Sequence, residues 1–141
     1  MDRNRIFAFI RAQRLGVIST VHASGAPEAA LVGFGFDAEI GIVFDTSSTS
    51  RKAVNLRARP AVAFVVGWEA ETTVQIEGVA REPAGDELQR AKAVYFAAWP
   101  DGREREAWPD ITYFIVRLTW VRYSNFQGAP VVVELHLPHW V

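Results

Sequence analysis

Residues 72–82 alternate without a break, with Thr72, Val74, Ile76, Gly78 and Ala80 on one side and Thr73, Gln75, Glu77, Val79 and Arg81 on the other. A period of two commits a segment to an extended strand with two unlike faces. A longer alternation at 111–124 sets Ile111, Tyr113, Ile115, Arg117, Thr119, Val121 and Tyr123 against Thr112, Phe114, Val116, Leu118, Trp120, Arg122 and Ser124. A chain with two such segments is organised around a sheet. Shorter extended runs precede them at 15–21, 28–36, 40–44 and 61–68, and one follows at about 130–137. The turn Ser24-Gly25-Ala26-Pro27 and the link Asp37-Ala38-Glu39 join the first three, which predicts an antiparallel meander.

Three segments carry the helical period instead. Asp2 caps residues 2–14, whose stripe is Ile6, Phe9, Ile10 and Gln13. A short helix near 50–58 stops before Pro60, and Asp86 and Glu87 open a third helix with the stripe Leu88, Ala91, Tyr95 and Ala98. A charged loop is predicted between Pro100 and Pro109. About seven strands with three peripheral helices predict a mainly β fold, a closed or split antiparallel barrel. The 141 residues suit one domain, 1–141, around a single core.

The composition narrows the function classes. Half of the residues are hydrophobic and 22% are charged, the balance of a globular chain. Net charge is −1 with no basic block, which argues against nucleic acid as the main partner but leaves room for a local anion site. With no cysteine, the chain has no disulfide, thiolate metal site or cysteine nucleophile. The apolar run before Arg11 is too short for a signal sequence, and no stretch is long enough to span a bilayer, so a cytoplasmic protein without membrane partner is expected.

Thr46-Ser-Ser-Thr-Ser-Arg-Lys52 concentrates five hydroxyls and two cations where the second helix begins. A helix N-terminus presents unpaired N–H groups and attracts anions. Arg51 and Lys52 oppose the helix dipole there. The segment is either a phosphate cradle or a serine cap followed by solvated charges.

Other features carry two readings as well. Gly33 and Gly35 share a face of one predicted strand, which either bends sharply or admits close approach by a flat ligand or another backbone. His136 and His139 flank Leu137-Pro138, a spacing that breaks helical register, and no carboxylates complete a metal set with them or with His22. Trp120 and Tyr123, on either side of Arg122, are core residues or the wall of a cofactor or subunit interface. No nucleophile–base–acid set stands out, so catalytic residues are not assignable; if the protein is an enzyme, a bound cofactor carries the chemistry. A barrel of this size has little interior room, so a large ring system fits better in a cleft between two copies.

In order and spacing, four motifs resemble the pyridoxamine 5′-phosphate oxidase-like family, the FMN-binding split barrels. They are Leu15-Gly-Val-Ile-Ser-Thr-Val21 with Gly25-Ala-Pro27; Thr46-x3-Ser50-Arg-Lys52-x2-Asn55-Leu56-x3-Pro60; Val74-Gln-Ile-Glu-Gly-Val-Ala80; and Arg117-Leu-Thr-Trp-Val-Arg-Tyr123. The resemblance implies a homodimer with FMN in two clefts between subunits. It implies that Thr46, Ser50, Arg51 and Lys52 approach the FMN phosphate, that Ala30, Leu31 and Val32 run beside the isoalloxazine ring, and that Thr73 and Gln75 reach its polar edge. Two departures stand out. Thr72-Thr73 replaces the Arg-Gln pair of the B6 oxidases, and the stretch from Glu134 to Val141 lacks their arginine-rich signature, which points away from pyridoxine phosphate oxidation. The implied activity is an FMN-dependent oxidoreductase acting on an unidentified small molecule. The alternatives are an F420-dependent reductase and a flavin- or haem-binding carrier or sensor without turnover.

Overall fold

A computed structural model describes residues 1–138. Helix α1 (Arg3–Gln13) is capped by Asp2, whose side chain accepts from the Arg5 N–H at 2.9 Å. Its buried side is Ile6, Phe7 and Ile10; Phe9 packs at the rim, edge-on to Tyr123 with ring centroids 5.8 Å apart. Strand β1 (Leu15–Val21) turns back into β2 (Pro27–Gly33), with Leu15 opposite Gly33 and Val21 opposite Pro27.

The predicted strand 28–36 is two strands. At Phe34 the run breaks: its N–H donates to the Arg14 carbonyl at 2.8 Å and its ring enters the core. The following β3 (Gly35–Asp37) pairs with β4 (Gly41–Ser47), so the first strands form two separate hairpins rather than a meander. Helix α2 (Arg51–Ala58) follows, then β5 (Ala61–Val66) and β6 (Thr72–Arg81). Helix α3 (Gly85–Ala98) buries Ala91, Tyr95 and Phe96, and the expected charged loop contains the short helix α4 (Gly102–Arg105). Strands β7 (Ile111–Asn125) and β8 (Val131–His136) complete eight strands and four helices among the described residues.

All strand pairs are antiparallel, in the order β2-β1-β5-β6-β7-β4-β3, with β8 beside β7. Strands β2 and β3 are consecutive in sequence yet stand at the two ends of this path. Only a curled sheet lets one residue, Phe34, connect those ends, so the fold is a split antiparallel barrel. Its interior is aromatic: the Phe44 and Phe114 rings stack at 5.7 Å, and Phe64 meets both Phe34 and Phe44 at 6.3 Å.

A β-bulge between Glu77 and Gly78 changes what the strand alternation means. Glu77 faces Trp120 and Gly78 faces Leu118, so Thr119 is the extra residue and the inward parity of β7 switches there. Phe114, Val116 and Leu118 point into the core on one side of the bulge, Val121 and Tyr123 on the other.

The outer face of the sheet is covered unevenly. Helix α3 covers β4 and β7 with a second apolar cluster of Val43, Ala91, Tyr95, Phe96, Tyr113 and Ile115. This packing settles the two readings of the glycines. A Cβ on Gly33 would lie 2.7 Å from the Trp99 ring, and one on Gly35 would lie 2.5 Å from the Val94 carbonyl oxygen. Their missing side chains make room for α3 and its C-cap, where the Trp99 indole donates to the Phe34 carbonyl at 3.1 Å.

Beyond α3 no helix among the described residues covers the outer face. One cross-strand row runs Leu31, Val17, Val65, Gln75, Arg122, Glu134, and Leu31 and Val65 in it are 62% and 41% exposed. No helix among the described residues is long and apolar enough to cross a membrane.

Candidate cofactor site

The end of β4 delivers Thr46 to the start of α2. Ser50 is extended, with φ −64° and ψ 155°, and its Oγ accepts from the Ala53 N–H at 3.2 Å, which caps the helix. The Thr46 hydroxyl donates to the same oxygen at 2.9 Å. Ser50 Oγ thus accepts twice, and its own proton goes to no acceptor among the described residues. The intervening turn is fixed from below, because the Ser47 hydroxyl donates to the Asp110 carboxylate at 2.5 Å and the Ser48 N–H donates to the Asp110 carbonyl at 2.6 Å.

The two cations of this turn are treated differently. Arg51 forms an ion pair with Glu28 on β2, whose other carboxylate oxygen accepts from Asn55 Nδ2 at 2.8 Å. Asn55 is buried and also donates to the Thr20 hydroxyl at 3.0 Å, tying α2 to β1. The hydrogen bond from Arg51, helped by the one from Asn55, holds the Glu28 carboxyl below the ordinary carboxylate range. Lys52 is half-buried and takes no hydrogen bond or ion pair from the described residues. Burial lowers its pKa, and the negative charge of Asp45 partly offsets that. Ile18, Thr20, Glu28, Ala29, Ala30, Arg51 and Lys52 line a cavity of about 230 Å³ here.

On the other side of β4, Asp45 is held by the α3–α4 flank. Its Oδ1 accepts from the Tyr95 hydroxyl at 3.0 Å and its Oδ2 from Arg105 Nε at 2.9 Å, while Arg105 Nη2 donates to the Tyr95 oxygen at 2.7 Å. Burial, reinforced by the Asp45 charge, pushes the Tyr95 hydroxyl up to about 12. The bond to Asp45 is the main reason the Arg105 pKa is raised.

The residues named from the sequence therefore fall into three groups. Ala30, Arg51 and Lys52 line one cavity, and Thr46 and Ser50 are bonded to each other at its helix edge. Leu31 lies outward on the bare face, whereas Val32 is in the core. Thr73 and Gln75 lie on β6, two strands beyond β1, and Gln75 points to the bare face in the row of Leu31. Trp120 sits on the outer side of the bulge, opposite Glu77. Tyr123 takes the core one of its two readings: it is 5% exposed, belongs to the barrel core and meets Phe9 at the core's rim, whereas Trp120 lies outside. The metal reading rests on His22 and His136, since His139 lies outside the described residues. His22 Nδ1 is engaged with the Ser24 hydroxyl at 2.9 Å, and no group of three possible ligands forms among the described residues.

Sequence reasoning missed Glu28. Its signal was parity: Glu28, Ala30 and Val32 share the inward side of β2, so a carboxylate there demanded a donor from the helix above it. Asp45 and Arg105, 60 residues apart, carried no such local signal.

The family model for pyridoxamine 5′-phosphate oxidase matches residues 3–125, which takes in every strand but β8 and the whole cradle. The chain belongs to this family. Among curated members, the pyridoxine/pyridoxamine 5′-phosphate oxidase of Bordetella avium is 41% identical over 93 residues, covering 64% of this chain and 42% of its own. The enzyme of the same name from Streptomyces avermitilis is 37% identical over 135 residues, covering 88% of this chain and 56% of its own. The chain thus spans about half the length of these pyridoxamine 5′-phosphate oxidase relatives. The fold is shared with a heme binding protein from Mycobacterium smegmatis at TM-score 0.79, with 24% identity over 91% of this chain and 55% of the other. The heme storage protein HutZ from Vibrio cholerae matches at TM-score 0.65, with 19% identity over 82% of this chain and 89% of the other.

Proposed function

We propose that this chain is a cytoplasmic FMN-binding oxidoreductase that works as a homodimer on a small molecule. The observation that carries the reading is Lys52, a half-buried ammonium with no hydrogen-bond or ion-pair partner among the described residues, beside a Ser50 hydroxyl that donates to none of them. Desolvating a cation without pairing it costs stability, and a phosphate entering the cradle recovers that cost through charge-assisted hydrogen bonds. The donor set fits a phosphate monoester: Lys52 and the Ser50 hydroxyl face it, Thr46 fixes Ser50, and the N–H groups of the first α2 turn add their dipole. Arg51 reaches the same cavity from the Glu28 pair.

The cavity accommodates a phosphate and the start of a ribityl chain, and a ring system has to continue along β2 past Ala30 toward Leu31. That path leads onto the bare outer face, so a second copy laid against Leu31, Val65 and Val79 supplies the opposite wall, with Thr73, Gln75 and Trp120 on the same sheet within the shared surface. An exposed apolar patch of this kind marks an interaction surface. FMN, when bound, supplies the redox chemistry at its ring; the chain binds the phosphate, orients the ring and excludes water. Thr72 and Thr73 in place of the arginine–glutamine pair support a substrate other than pyridoxine phosphate.

The test is the visible spectrum of the purified protein and of what heat releases from it, followed by sedimentation with and without cofactor. A yellow protein releasing FMN, and a dimer strengthened by FMN, are expected. The second reading, a haem-binding protein without turnover, is favoured by the two haem proteins of like fold, and a Soret band would establish it. A released deazaflavin would replace FMN with F420, and a monomer that holds flavin with undiminished affinity would end the shared-site model.

A further inference from the structure

The turn that leads into α2 is closed by the Ser50 N–H, which donates to the Ser47 carbonyl at 3.0 Å. Ser48 is a central residue of that turn, and both of its backbone polar groups are tied to distant parts of the chain. Its N–H donates to the Asp110 carbonyl at 2.6 Å, and its carbonyl accepts from Arg57 Nη1 at 2.6 Å. Arg57 belongs to the last turn of α2, so the helix reaches back to the turn from which it starts. A fork on Glu82 aims the guanidinium: Nε and Nη2 donate to the two carboxylate oxygens at 2.7 and 2.8 Å. Glu82, the residue after β6, also accepts from the Thr112 hydroxyl on β7 at 2.6 Å. We propose that Arg57 is a positioning residue for the cradle: set by Glu82, it fixes Ser48 and so holds Ser50 and the first N–H groups of α2 in the arrangement that receives a phosphate monoester. The inference rests on the phosphate reading of the cradle and adds to it the residue that keeps the turn in shape before a ligand arrives.

The groups that would meet a phosphate depend on the path of the chain from Ser47 to Ser50. The first N–H groups of a helix have no acceptor inside it, so their direction follows the turn before them. That turn has small polar side chains, and Thr49 at its tip is exposed, so packing does little to hold it. Asp110 grips the approach, at the Ser47 hydroxyl and the Ser48 N–H. The next peptide unit, which leads on to Ser50, is held by the Arg57 bond to the Ser48 carbonyl and by a longer one from the Thr49 N–H to Ser47 Oγ at 3.3 Å. An exposed ion pair contributes little by itself, but a forked pair within a network sets a geometry. Position and charge are separable here by sign, because Glu82 neutralises Arg57. If Arg57 acted as a charge, removing the Glu82 carboxylate would raise the potential around the cradle and tighten an anion. Acting through position, the same removal frees the guanidinium, loosens Ser48 and weakens the anion.

The test uses the full chain and the variants R57Q and E82Q, the second of which keeps Arg57 in place should R57Q fold poorly. Two readouts are taken: affinities for FMN and for riboflavin, and, without any flavin, amide hydrogen exchange in the peptide that carries residues 46–53. R57Q is expected to weaken FMN about tenfold, the scale of one hydrogen bond to a charged group, with riboflavin unchanged. E82Q should weaken FMN in smaller measure although it removes a negative charge. In both variants the turn should exchange severalfold faster while the central strands keep the protection of the parent, the mark of a local opening. An E82Q protein that binds FMN more tightly, or a turn whose exchange is unmoved in R57Q, would overturn the proposal. Equal losses for FMN and riboflavin would overturn it too, since they mark a general loosening and not a displaced phosphate site. If the parent holds FMN no more tightly than riboflavin, the phosphate reading fails, while exchange still decides whether Arg57 holds the turn.

Discussion

The two flanks of β4 handle charge in opposite ways. On the side of α3 and α4 the half-buried charges are answered by neighbours: Asp45 by Tyr95 and Arg105, Lys92 by Glu106. On the side of α2 Arg51 is answered by Glu28, and Lys52 has no hydrogen-bond or ion-pair partner among the described residues. Both regions begin from the same dipeptide, Asp45-Thr46, and both are partly desolvated. A saturated network rigidifies and specifies a packing, whereas an unsaturated one is costly until something binds. The difference separates a structural flank from a binding flank, and it is read from partners rather than from residue types, since arginines and carboxylates occur on both sides.

The largest expected effect breaks the structural flank without touching the binding one. Gly35→Val drives a side chain into the backbone of α3 at Val94, where the helix itself must shift; Gly33→Val meets only the Trp99 ring. Gly35→Val should lower apo stability by about 3 kcal/mol, at the upper end of overpacking costs, and Gly33→Val by less. Thermal melts of the cofactor-free protein check this. An unchanged melting temperature with lost flavin affinity would transfer both glycines to the ligand site.

The glycines also show where the sequence was legible. Alternation at 72–81 gave a strand with the correct inward face, and the hydroxyl-rich turn gave the capped helix with its cations, because both signals are local. The break at Phe34 was not local: an extended run looks the same whether it stays in one hairpin or crosses to another, and the core pocket that takes the Phe34 ring is built by distant strands. The bulge at Glu77 misled for a related reason, since one extra residue in β7 reverses every later face and placed Tyr123 inside. The Asp45–Arg105 ion pair joins a strand to a four-residue helix that has no periodicity to read.

The next effect sharpens the contrast through pH. Tyr95 goes from an ordinary pKa of 10.0 to about 12 in the folded chain. A raised folded pKa contributes stability that is fully present below pH 10 and lost as pH climbs toward 12, where the unfolded chain releases its proton first. Two pH units correspond to about 2.7 kcal/mol at most. Tyr95→Phe should therefore flatten the stability profile between pH 10 and 12 as followed by denaturant titration, and a parent-like slope in the variant would assign the loss to other groups.

On the binding flank the unpartnered cation should matter more than the paired one. Lys52→Ala is expected to weaken FMN by about 2 kcal/mol, or some thirtyfold, with riboflavin unaffected. Arg51→Ala should cost less, because its side chain is 76% exposed and already bonded to Glu28. Fluorescence titration with both flavins measures the pair. Equal losses for riboflavin and FMN would remove the phosphate from the argument.

The smallest effect concerns Glu28, the one anion in the cradle. It competes with a phosphate for Arg51, and it also places Arg51 by holding it against β2 while Asn55 holds its other oxygen. The two roles oppose each other. An exposed ion pair contributes at most about 1 kcal/mol, so neither dominates by much. Competition should win, because the phosphate brings two charges to a site where Glu28 already supplies one, and like charges in one cavity repel. Glu28→Gln keeps the bond from Asn55, removes the charge, and is expected to tighten FMN severalfold while leaving riboflavin alone. A weaker FMN complex in the variant would show that placing Arg51 is the larger role, and would move Glu28 from competitor to part of the cradle.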